Sequence, residues 1–112
     1  MLPENTLAIV ARNERWTGRA GTEPYECGWA REAVFFVRAL RVANVPDFAS
    51  AQVQISPDGM RWVDEGTGLL LPVEAGETNF AKVSHFGGWL RLVVDLPEDA
   101  SMTVIVSLHL KA

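Results

Sequence analysis

The chain has 112 residues, 48% of them hydrophobic and 21% charged, with a formal net charge of −4. That length suits one domain spanning residues 1–112, able to bury roughly two-thirds of the surface its unfolded form exposes, and the composition excludes wholesale disorder. The net acidity withholds the broad basic field that a nucleic-acid backbone needs, so no nucleic-acid partner is expected.

A single cysteine, Cys27, leaves no disulfide to form within the chain. The fold must therefore stand on packing alone, in an environment expected to be reducing. The opening MLPENTLAIVARNER has neither the basic leader nor the apolar core of a signal peptide. No apolar run reaches the length that spans a bilayer. A soluble protein made in the cytoplasm, with no membrane partner, is the expectation.

In chain order, NTLAIVAR supplies a first strand. Residues 13–28 scatter aromatic residues and glycines without a period and read as a long loop. REAVFFVRALRV permits a helix by composition, with Trp29, Ala33, Val37 and Leu40 as a rough stripe. Its centre, Val34-Phe35-Phe36-Val37, is β-branched and aromatic, which favours a buried strand. AQVQI alternates cleanly, with Ala51, Val53 and Ile55 on one side and Gln52 and Gln54 on the other.

SPDG then reads as a tight turn. Pro57 fixes one backbone angle, Asp58 accepts a local backbone hydrogen bond, and Gly59 enters the left-handed region without a Cβ clash. The oxygen pattern of a calcium loop does not follow Asp58. MRWVDE is the returning strand, GLLLPVEAGE an edge strand broken by Pro72, and TNFAKVSHF a further strand. GWLRLVVDL and SMTVIVSLHL alternate most clearly, with Met102, Val104, Val106, Leu108 and Leu110 on one face of the latter; joined by PEDA, they read as a hairpin.

Seven or eight short strands with turn-rich joints predict an all-β fold, a two-layer antiparallel β-sandwich of jelly-roll type. An immunoglobulin-type sandwich would lack its cysteine pair.

The side chains offer no catalytic constellation. Cys27, His85 and His109 lack metal-ligand spacing, and the pairs Asp64-Glu65 and Glu98-Asp99 point to opposite faces of a strand. No metal or other cofactor and no enzymatic activity are expected. Trp16, Trp29, Trp62 and Trp89 are many for this length. They fill a core or cover an edge, anchor a protein interface, or stack on sugar rings. Trp16 and Trp62, beside loops and charged residues, are expected to be the exposed ones, with Arg61 next to Trp62. Arginine far outnumbers lysine, which suits fixed ion pairs and interfaces.

The segments VQISPDGMRWVDEG, VSHFGGWLRLVVDL and MTVIVSLHLKA resemble small β-sandwich modules of phage head and tail accessory, decoration-like proteins. They also resemble a central hairpin of discoidin-like sandwiches, the likeness covering Val53 to Lys111. The phage resemblance implies a non-enzymatic structural role, homo-oligomeric or larger protein assembly, and a virion or other large particle as destination. A carbohydrate-binding module using Trp16 or Trp62 is the alternative reading.

Overall fold

In the computed structural model, which describes residues 5–112, alternation along the chain becomes nine strands. They are β1 (Asn5–Thr17), β2 (Arg19–Gly21), β3 (Tyr25–Glu26), β4 (Glu32–Ala43), β5 (Ser50–Ser56), β6 (Val63–Leu70), β7 (Thr78–Ser84), β8 (Trp89–Asp95) and β9 (Ser101–Lys111). The first sheet has the order β1-β9-β4-β7; the second has β2-β8-β5-β6, with β3 also on β8. All pairings are antiparallel. Apart from the short β3, every connection crosses between sheets except β5 to β6. First and last strands are neighbours. That order is a jelly roll, the expected class.

Period-two alternation sets the core. Along β9, Met102, Val104, Val106, Leu108 and Leu110 are buried while each residue between them is half-covered. Phe35, Val37 and Ala39 of β4 join them from the same sheet. Val53 of β5 and Leu90, Leu92 and Val94 of β8 meet them from the other. β4 is thus a strand, as its β-branched and aromatic centre predicts.

Three expectations are corrected. β8 and β9 do not form a hairpin: β8 pairs with β5 in the second sheet and β9 with β1 and β4 in the first. Alternation reveals that each strand has one apolar face, and two such faces meet equally well across a core or side by side. Residues 13–28 are not one long loop, since they hold the end of β1 and all of β2 and β3. MRWVDE and GLLL are not two strands; pairing starts at Val63 opposite Ile55 and runs as one irregular β6 to Leu70.

The misread segment shows how short strands stay paired. β2 and β3 lie end to end along one edge of β8, with Pro24 in the gap unable to donate to the ladder. Thr22 bridges it. Its N–H donates to the Leu92 carbonyl at 2.9 Å, and its hydroxyl accepts from Leu92 N–H at 3.0 Å. In β1, register shifts between Ile9 and Ala11 and between Ala11 and Glu14 mark bulges. Asn13 sits at φ 51° there, a conformation asparagine tolerates.

Candidate functional site

The SPDG turn joins β5 to β6 within the second sheet, and side chains lock it. Ser56 Oγ accepts from the N–H of Asp58 at 3.2 Å and of Gly59 at 2.8 Å. The Ser56 hydroxyl donates to Asp58 Oδ1 at 3.1 Å, and that oxygen accepts from Met60 N–H and Arg61 N–H, each at 2.9 Å. These bonds, Arg61 N–H first and Met60 N–H next, hold the Asp58 carboxyl below its ordinary value. Gly59 adopts φ 80°, and a Cβ there would lie 3.1 Å from the Trp89 ring. Pro57, Asp58 and Gly59 are structural residues. Among the described residues Arg61 pairs with Asp58, at 3.6 Å, and its side chain is largely solvated.

The tryptophans divide differently from the expectation. Trp16 is 2% exposed, so its place among exposed candidates is corrected. The two bulges of β1 bring it opposite Met102, and its Nε1 has no hydrogen-bond partner among the described residues. Trp89 is half-buried beneath Gly59. Trp29 is exposed in the loop before β4. Trp62 is half-buried, with the Arg91 guanidinium 4.2 Å from its ring centroid.

Arg91 belongs to a polar chain across the outward face of the second sheet. Its Nε donates to Gln54 Oε1 at 2.8 Å, and Gln54 Nε2 donates to Asp64 Oδ1 at 2.9 Å. This chain satisfies a glutamine that is only 8% exposed. Trp62 therefore has one ring face occupied by a cation rather than open to a sugar. Cys27 is fully buried, and burial pushes its thiol up to about 11, aided by the charge of Glu26. Such a thiol is a poor nucleophile. Among the described residues, no group of three or more His, Cys, Asp or Glu side chains could hold a metal ion.

The outward face of the first sheet is different. Register aligns Leu7, His109, Val34 and Lys82 in one row across the four strands, and Ile9, Ser107, Phe36 and Phe80 in the next. Ile105, Arg38 and Thr78 follow, then Arg15, Thr103 and Arg41. Phe36 contacts Phe80 at 5.9 Å and His109 edge-on at 4.9 Å between ring centroids. Phe80 remains 58% exposed and Leu7 59%. Beside them lies a hollow of about 450 Å³ bordered by Glu32, Val34, Lys82, His109 and Lys111. The face thus joins an uncovered apolar centre to a rim of Arg15, Arg38, Arg41, Lys82 and Lys111, all exposed. None of these five forms an ion pair among the described residues.

The fold resembles that of two prophage proteins. SPBc2 prophage-derived protein YomS superposes with a TM-score of 0.61 at 11% identity, covering 100% of this chain and 96% of YomS. PBSX exported protein XepA gives 0.55 at 11% identity, covering 97% of this chain but 36% of XepA. At that identity the likeness is one of fold. No protein-family model matches the sequence, and no curated protein is detectably similar to it. The anticipated phage resemblance therefore has counterparts in fold, and neither counterpart singles out decoration proteins or a discoidin-like hairpin.

Tryptophan counting missed this face. Its apolar residues are Leu, Ile, Val and Phe, and its cations come from four strands far apart in the chain.

Proposed function

We propose that this chain is a non-catalytic assembly module of a phage particle, working by docking the outward face of its first sheet onto protein. The observation that carries the reading is the uncovered apolar centre of that face, with Leu7, Ile9 and Phe80 exposed among Val34, Phe36 and Ile105. A monomer gains nothing from this arrangement, whereas protein interfaces surround such a centre with a polar rim. Full burial of one large apolar side chain is worth roughly 1.5–3 kcal/mol. These three are already about half covered, so each adds on the order of 1 kcal/mol. Association costs about 4–15 kcal/mol, so the three cannot hold a partner alone, and the rim must contribute contacts and specificity. The prophage origin of the structural neighbours supports the particle context, with synthesis in the cytoplasm preceding incorporation.

A photo-crosslinking residue at position 80, compared with one at the exposed Met60, tests the reading in cells producing the particle. Discrete protein adducts at position 80 and none at position 60 are expected. Free monomer alone at both positions would remove the proposal.

A further inference from the structure

Resting on that reading, we infer that the occupant of the face is a second copy of this chain, docked head to tail. The 44–49 loop of one copy meets the outward first-sheet face of the next, and Phe48 enters the hollow beside Val34, Lys82 and His109. Phe48 is 83% exposed, more than any other large apolar side chain among the described residues. Its loop is not slack. Asn44, at φ 58°, donates through Nδ2 to the Asp99 carbonyl at 3.1 Å, and Ala49 N–H donates to the Pro46 carbonyl at 3.1 Å. A loop already held in place loses little further backbone freedom on docking.

Charge selects the pairing. The loops 44–49, 71–77 and 96–100 carry Asp47, Glu74, Glu77, Glu98 and Asp99 and no basic residue. Among the described residues, the first-sheet face carries five cations against Glu32, and Lys82 and Lys111 border the hollow itself. Two such faces packed on each other would oppose like charges, whereas knob against face opposes unlike ones. The hollow, at about 450 Å³, falls in the range that holds a drug-sized molecule, so it has room for one aromatic ring. Self-insertion is impossible: the hollow lies at the start of β4 and the knob follows its end, roughly 30 Å away at strand rise. A nucleic acid or an anionic membrane would answer the cations but leave the acidic, Phe48-bearing end unexplained. Because knob and hollow are different surfaces, each docked copy still presents one of each, and the contact propagates.

The test uses Phe48→Ser, which removes the knob, and Lys82→Glu, which spoils the hollow; both sites are exposed, and thermal melts matching the wild type establish folding. Sedimentation of the wild type is expected to show mass above the monomer that rises with concentration and falls with salt. Each variant alone is expected to lose association by at least about tenfold. Their equimolar mixture is expected to stop at a dimer, since Phe48→Ser keeps its hollow and Lys82→Glu keeps its knob. A monomeric wild type, variants that associate like it, or a mixture that stays monomeric would each overturn the inference. So would a monomeric wild type that binds a single-stranded oligonucleotide or anionic vesicles. A monomeric wild type whose position-80 probe captures a different protein would overturn self-docking while leaving the docking face standing.

Discussion

At the residue scale, Ser56 and Gly59 each do two things. Ser56, 1% exposed, supplies the oxygen that closes the turn, so Ser56→Ala leaves two N–H groups short of a partner. A loss of about 1–2 kcal/mol in urea unfolding is expected. Gly59→Ala meets both a positive φ and the Trp89 ring, and a similar loss is expected with a shift in tryptophan fluorescence. Asp58 gives a pH dependence. Its folded value lies below the ordinary 3.8, so the folded state binds this proton more weakly than the unfolded chain. The contribution is present above that ordinary value and fades as pH falls through the lower folded one. Asp58→Asn should flatten that acid limb. Cys27 acts at the other extreme: its folded value of about 11 stands above the ordinary 9.0, so stability is lost as pH rises between them. Native protein should accordingly resist thiol labelling at pH 8 and react once unfolded.

At the element scale, strand identity is local and strand partnership is not. The alternation of Met102 to Leu110 can be read residue by residue, because one side chain in two must face the core. Which sheet β9 joins depends on residues such as Leu7 and Val34, distant in sequence, and the hairpin expectation failed there. Trp16 was hidden by its neighbours. Asn13, Glu14 and Arg15 look like loop, yet the bulges of β1 absorb the irregularity and carry the strand onward. Thr22→Val tests how the second sheet is completed: it keeps the shape but leaves Leu92 N–H without its acceptor. A loss of about 1–3 kcal/mol is expected, with faster amide exchange at Leu92. Leu108→Ala, in the strand between β1 and β4, is expected to cost about 2–5 kcal/mol.

At the scale of the whole molecule, a net charge of −4 conceals a separation. Cations gather on the first sheet and carboxylates at the end loops, so an average argued against any basic surface while register built one. The sequence contained every residue of that face and no sign of their meeting, since Arg15, Arg38, Lys82 and Lys111 sit on four different strands. Contacts made through such a rim should weaken as salt rises toward 1 M, where screening acts within about 3 Å. The central claim is that the outward first-sheet face is covered by protein when the molecule works. Hydroxyl-radical footprinting of the assembled protein tests it most directly. Leu7 and Phe80 should be oxidised well below the rate of the same residues in dilute monomer, with Met60 and Val63 unchanged. Equal oxidation of Leu7 and Phe80 in both states would contradict it.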